Sequence, residues 1–215
     1  TRIYSISGLL QAGEAVVRRR PFRAPHHSTS LAGRVGGGSK PMPGEISLAH
    51  LGVLFLDEMA EFPRSVMEAL RQPMEDGVVA VSRAAGRVEY PAAFMLVGAV
   101  NPCPCGWLGH PRKECKCSPR QIWRYKQRIS GPILDRIDLH VNVPAVEAEK
   151  LSTIGRVRSA TPEVKNSKQI REEVIKARKL QTERFAGTGI YTNAQMKNRQ
   201  VRQWCKIDAE SNRLL

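Results

Sequence analysis

No run of apolar residues in this 215-residue sequence approaches the roughly 18 needed to cross a bilayer as a helix, and its start lacks an apolar core behind basic residues. Neither a membrane span nor a secretory signal is expected, which makes the cytoplasm the expected location. Acidic residues are scarce: 20 Asp and Glu stand against 34 Lys and Arg, a net charge of +14 with a pI near 10.1. That surplus suits a polyanion, and nucleic acid is expected ahead of a lipid surface because no basic amphipathic helix carries an aromatic face. Cysteine is sparse as well, and the five present, four of them between 103 and 117, do not form the framework of a disulfide-rich secreted fold. A phosphate loop is missing. The near match, Gly33-Arg34-Val35-Gly36-Gly37-Gly38-Ser39-Lys40, puts Ser before Lys, and Pro41 and Pro43 forbid the helix that must open directly behind such a loop.

What is present centres on Gly52-Val53-Leu54-Phe55-Leu56-Asp57-Glu58. The apolar run is short enough for a buried strand, and burial in a parallel sheet leaves Asp57 and Glu58 at its carboxyl end, where ligands bind in open α/β sheets. That is the arrangement of a Walker B site; the alternative is that Asp57 simply caps a following helix. Phe62-Pro63 then opens a predicted helix to about Met74, with Val66, Leu70 and Met74 on one face and Gly77 as its stop. Val78 to Ser82 and Arg87 to Tyr90 read as a hairpin through Arg83-Ala84-Ala85-Gly86, and Ala93 to Val100 as a second buried strand ending at Asn101. A last strand is expected over Leu139 to Val143. Upstream, residues 1 to 20 read as a strand or loop, and the Gly, Pro and Ser-rich stretch 21 to 45 as a long functional loop or a loop around a short helix. Residues 163 to 185 carry a charged helix pattern with Val164, Ile170, Val174 and Leu180 apolar, and 192 to 215 read as short helices. The length and 41% hydrophobic content allow one good core, alone or with a small appended domain.

Two clusters stay open on residue chemistry alone. Cys103-Pro104-Cys105 and Cys115-Lys116-Cys117, nine residues apart with His110 between them, can close a tetrahedral Zn²⁺ site, pair as disulfides, or pack as buried thiols. Trp107, Trp123 and Tyr125 beside Lys116, Arg120, Arg124 and Lys126 fit either single-strand binding or core packing. The pair His26-His27 is open to metal binding, base stacking or an ordinary hydrogen-bonded role.

In order, the Asp57-Glu58 strand, the hairpin, the strand ending in Asn101 and Ile133-Leu134-Asp135-Arg136-Ile137-Asp138 resemble the helicase-like branch of the AAA+ ATPases. Arg20-Pro21-Phe22-Arg23-Ala24-Pro25-His26-His27-Ser28, the segment 36–50, Asn101-Pro102-Cys103-Pro104-Cys105-Gly106 and the segment 130–138 are similar, more specifically, to the magnesium-chelatase-like ComM/YifB family, over the whole chain. The resemblance implies an α/β fold: a partial AAA+ P-loop-type parallel sheet with a pre-sensor 1 hairpin over 1–148, a linker over 149–162, and part of an α-helical lid over 163–215. It also implies an ATP- and Mg²⁺-dependent motor that forms a ring, expected to be hexameric, and acts on branched or single-stranded DNA in branch migration during natural transformation. Asp57 then holds Mg²⁺ through water, Glu58 polarises the attacking water, Asn101 is sensor 1 and Arg136 the arginine finger. Arg83 and Arg87 flank the pore hairpin, and Arg23, Arg34 and Lys40 are candidates for the same pore. The resemblance places the phosphate loop upstream of Thr1 and the sensor 2 arginine beyond Leu215, so the chain alone is expected to bind nucleotide poorly and hydrolyse none. Two other readings are a zinc-stabilised nucleic-acid-binding module without catalysis and a chelatase subunit that drives metal insertion into a porphyrin.

Overall fold

A computed structural model describes residues 1–38, 41–83, 86–144 and 165–214, with the side chains of 83, 86 and 214 outside that description. The chain divides into two units, Thr1–Val146 and Glu147–Leu215. In chain order the first contains α1 (Arg2–Ile6), β1 (Phe22–Arg23), α2 (Leu31–Val35), β2 (Gly36–Gly37), β3 (Met42–Pro43), α3 (Glu45–Leu48) and β4 (Val53–Leu56). There follow α4 (Arg64–Ala69), α5 (Arg71–Asp76), β5 (Val78–Arg83), β6 (Gly86–Pro91), β7 (Met95–Gly98), α6 (Pro119–Lys126) and α7 (Gly131–Leu134).

β4 is the middle of a three-stranded parallel sheet ordered β1-β4-β7, as expected of part of a P-loop-type α/β core. Its alternation sends Leu54 and Leu56 into the core, where they join Ile46, Met59, Phe62, Val66, Met67 and Leu70. Each such side chain contributes on the order of 1.5–3 kcal/mol on leaving water. The β5–β6 hairpin adds Val79, Val81 and Tyr90 to the same core, and the Tyr90 hydroxyl donates to the Pro41 carbonyl at 2.7 Å. From the other end, Tyr125, Ile129 and Ile133 bring α6 and α7 against it.

Four expectations need correction. Ala93 to Val100, expected as a buried strand, pairs only over Met95–Gly98 and is largely exposed, Met95 by 60% and Val97 by 38%. Residues 2–6 form a helix rather than a strand, with Ile3 buried and the Tyr4 hydroxyl donating to the Leu48 carbonyl at 3.2 Å, so one helical turn ties this end to α3. The helix expected from Pro63 to Met74 is split at Leu70, because Pro73 has no N–H to give and its ring crowds the Ala69 carbonyl. Gly77 does stop it, at φ 69°. Leu139 to Val143 joins no described strand; Leu139, Val141 and Val143 are 81%, 80% and 80% exposed. The alternating pattern is that of a strand, yet a strand needs a neighbour to satisfy its backbone.

In the second unit, Asn166 opens the helix Ser167–Arg184 through a reciprocal capping box with Gln169. Ile170, Val174 and Leu180 are exposed on it, whereas Phe185 at its end is buried and meets Trp204 edge-on at 6.5 Å. A turn at Asn193–Gln195 and helices Asn198–Trp204 and Ser211–Leu214 complete it. Val164 and the expected linker 149–162 lie outside the described residues.

Candidate functional site

The three parallel strands end at one edge, and the residues singled out in the sequence follow those ends: His26 and His27 after β1, Asp57 and Glu58 after β4, Asn101 after β7. The register Leu56↔Gly98 brings the β4 acids beside the segment leading to Asn101. It is held by two bonds beyond the strands, Ala99 N–H to the Leu56 carbonyl at 3.0 Å and Met59 N–H to the Ala99 carbonyl at 2.9 Å. A Cβ at Gly98 would lie 2.5 Å from the Met59 sulfur, so the Met59 side chain, which packs under the turn carrying Glu58, would have to shift to admit one.

Asp57 and Glu58 are both exposed, and an Asp57 carboxylate oxygen accepts from the Glu58 N–H at 2.9 Å. That bond, and helical turns that begin only at Met59 and Arg64, leave the helix-capping role for Asp57 without a partner. Glu58 sits in the left-handed region at φ 50°, a conformation costing a non-glycine residue about 1 kcal/mol. Facing it, His27 Nδ1 lies 3.4 Å from the Glu58 carboxylate, with its ring 4.1 Å from that of His26. This partner of Glu58, 31 residues away in the chain, had no signal in the sequence beyond the unusual His pair; among the described residues the pair and Glu58 do not close into a three-ligand metal cluster.

Arg34 is corrected from a DNA-facing residue to an interior one. It is 2% exposed, donates to the His26 and His27 carbonyls at 3.2 and 2.5 Å, and stacks 4.8 Å over Phe62. Loss of water around its guanidinium pushes its pKa below the usual arginine range. It thus anchors the backbone that presents His27 to Glu58. Truncation in Arg34→Ala orphans both carbonyls and leaves a void, so thermal unfolding is expected to show a loss of about 2–4 kcal/mol. A loss below about 0.5 kcal/mol, the range of an ordinary surface change, is the result that contradicts this role.

Arg23 is likewise engaged, donating to both Glu45 oxygens at 2.6 Å, an interaction that raises its pKa further. Lys40 lies outside the described residues. On the hairpin, Arg83 ends β5 and pairs in register with Gly86, and exposed Arg87 bridges to Glu89 at 2.8 Å. Arg136, just beyond α7, pairs with Glu75 and donates to the Pro132 carbonyl, rather than pairing with Asp135 or Asp138.

Asn101 is exposed, and the α6 helix that follows is attached through buried Tyr125, whose pKa is raised by burial with the Glu61 charge close by. Arg128 reinforces that attachment, pairing with Glu61 and reaching the Ala60 carbonyl. Tyr125 is therefore core, and Trp123 exposed. In the loop between Asn101 and α6, the sulfurs of Cys103, Cys105, Cys115 and Cys117 lie within 4.8 Å of one another and none is in a disulfide. The Trp107 backbone N–H favours the Cys105 thiolate and lowers that thiol to about 6, whereas burial raises Cys117.

A partial parallel sheet with paired acids after its central strand and an amide after the next defines a P-loop-type α/β core of the AAA+ kind. The family profile for magnesium chelatase, subunit ChlI, matches residues 1–151, and that for the ChlI C-terminal region matches 164–215. Competence protein ComM of Haemophilus influenzae is 46% identical over 191 residues, covering 89% of this chain and 35% of the relative. YifB of Escherichia coli is 43% identical over 193 residues, covering 90% and 36%, and a Mycobacterium tuberculosis H37Rv protein is 43% identical over 204 residues, covering 94% and 39%. The chain belongs to the magnesium-chelatase-like AAA+ family, in its ComM/YifB branch. It spans little more than a third of the length of these relatives. Among the described residues no helix is long and apolar enough to cross a membrane.

Proposed function

We propose that this chain supplies the Walker B, sensor 1 and arginine-finger parts of an ATP-driven motor that acts on DNA as a ring. The observation that carries the reading is the convergence of Asp57, Glu58 and Asn101 at the carboxyl ends of two paired parallel strands. Two exposed carboxylates offer the hard oxygen donors that Mg²⁺ prefers, so the donor set fits that ion, which Asp57 would hold. Bound there, Mg²⁺ supplies charge neutralisation on the phosphates. Glu58 accepts a hydrogen bond from the attacking water and polarises it, its carboxylate steadied by His27. The Asn101 side chain orients that water or the terminal phosphate. Arg136, released from Glu75 at an interface between subunits, stabilises charge on the phosphate of a neighbouring subunit.

DNA is the favoured polyanion because the chain carries a net charge of +14 and the hairpin ends near Arg83 and Arg87, cations that contact phosphates without reading sequence. The test is ATP turnover, with and without branched DNA, for this chain and for the same chain carrying an upstream phosphate-loop segment. Turnover only in the extended form, raised by DNA, is expected. Inactivity of both with salt-dependent DNA binding intact favours the binding module, and activity indifferent to DNA favours the chelatase-type subunit.

A further inference from the structure

The 17-residue loop from Pro102 to Ser118 is the least explained part of the first unit. Its internal backbone-to-backbone hydrogen bonds among the described residues are two local turns, Gly106 N–H to the Cys103 carbonyl and His110 N–H to the Trp107 carbonyl. Two turns do not fix a loop of this length, yet its four cysteines converge. The Cys103 sulfur lies 3.4 Å from that of Cys105 and 3.6 Å from that of Cys115, and Cys105 and Cys115 are 3.6 Å apart. A disulfide joins two sulfurs at about 2.05 Å and leaves no reason for a third and fourth to crowd in. Four thiolates around one Zn²⁺ at about 2.3 Å are about 3.8 Å apart, close to the spacing seen.

We propose that Cys103, Cys105, Cys115 and Cys117 bind one Zn²⁺, which clasps the end of β7 carrying Asn101 to the start of α6. Cys103, 0% exposed, seats the site against the protein, and the Leu108 N–H points at its sulfur at 3.4 Å, the kind of outer contact that steadies a metal-bound thiolate. His110 is not a competing ligand through Nδ1, which accepts from the Arg112 and Lys113 N–H groups at 3.1 and 3.0 Å. Four thiolates on a divalent ion leave surplus negative charge, and the loop supplies cations, with Lys113 stacked 3.8 Å over Trp107. An all-sulfur tetrahedral set selects zinc or iron over the oxygen-preferring cations.

The clasp sits at a consequential place. Cys103 is two residues beyond Asn101, and Cys117 directly precedes Ser118, which caps α6 in a reciprocal box with Gln121. α6 is seated by buried Tyr125, and from it the chain passes through α7 to Arg136. The ion therefore fixes the spacing between the sensor position and the arm that bears the arginine. This last consequence rests on the proposed function; the metal site does not.

The experiment is elemental analysis of the chain purified under reducing conditions without added metal, with hydrogen exchange before and after chelation of the unmutated protein. About one equivalent of zinc per chain is expected, bound in the nanomolar range or tighter, and lost in Cys105→Ser/Cys115→Ser. Chelation should raise exchange over residues 99–128 while the β5–β6 hairpin stays protected. Fully reduced protein that neither contains zinc nor takes it up at micromolar concentration overturns the site, as does a red, iron-loaded protein that zinc cannot displace. Zinc present, with exchange at 99–128 unchanged on its removal, overturns the clasp. Loss of the motor reading, through absent turnover in the extended chain, leaves the zinc measurement untouched.

Discussion

Arg136→Ala, made in a form of the chain that carries a phosphate loop, is expected to lower ATP turnover by about 10³-fold, the range for removing an arginine that stabilises a phosphoryl-transfer transition state. The guanidinium is held by Glu75 and the Pro132 carbonyl within the chain, so in an isolated subunit it is engaged structurally. A role in trans makes a sharper statement than loss of activity. Subunits bearing Arg136→Ala keep Glu58, and subunits bearing a Glu58 change keep Arg136. Random mixing of the two in a ring then restores an intact pair at about one interface in four, because head-to-tail contacts join the unaltered halves. Recovered turnover in the mixture establishes an arginine acting between subunits. Two inactive proteins that stay inactive when mixed, although they co-assemble, place Arg136 in an internal role with Glu75.

Glu58→Gln in the same extended form is expected to reduce turnover by roughly 10²–10⁴-fold, while nucleotide affinity stays within a few-fold. The amide has the same shape and keeps the space in front of His27 filled, but it carries no charge with which to polarise water. Loss of a carboxylate near the polyphosphate removes repulsion, so binding is not expected to weaken. Rapid-quench measurement of the chemical step, beside equilibrium binding of a fluorescent nucleotide, separates these effects. Turnover that survives the change assigns the catalytic carboxylate elsewhere and leaves Asp57-Glu58 as a strand end with two solvated acids.

The two halves of this site differ in how they could be known. Val53 to Leu56, with Asp57 and Glu58 following, and the strand leading to Asn101 are written in short-range pattern, apolar runs of strand length bounded by turn residues, although the burial expected of the second run is not seen. The hairpin and the stop at Gly77 are legible for the same reason, since a turn is decided by the few residues within it. The split at Leu70 was written there too, in Pro73, although the longer apolar periodicity from Val66 to Met74 masks it.

By itself, then, the sequence determined the parallel core, the placing of two acids and an amide after its strands, the surplus of positive charge, and membership of a family whose motifs span many residues. Tertiary structure alone decided what the charged side chains do. Arg34 and Arg23 read as free cations in a polar loop, but folding buries the one beneath His26 and His27 and gives the other to Glu45. His27 reaches Glu58, and Arg136 reaches Glu75, across 31 and 61 residues of chain. The physical reason is that strands and turns are settled by neighbours in sequence, whereas a charge or a thiol settles on whichever partner packing brings within a few ångströms. The four sulfurs are the clearest case: their spacing in the chain favoured zinc only slightly over a disulfide or buried thiols, and only the fold put them within 4.8 Å of one another.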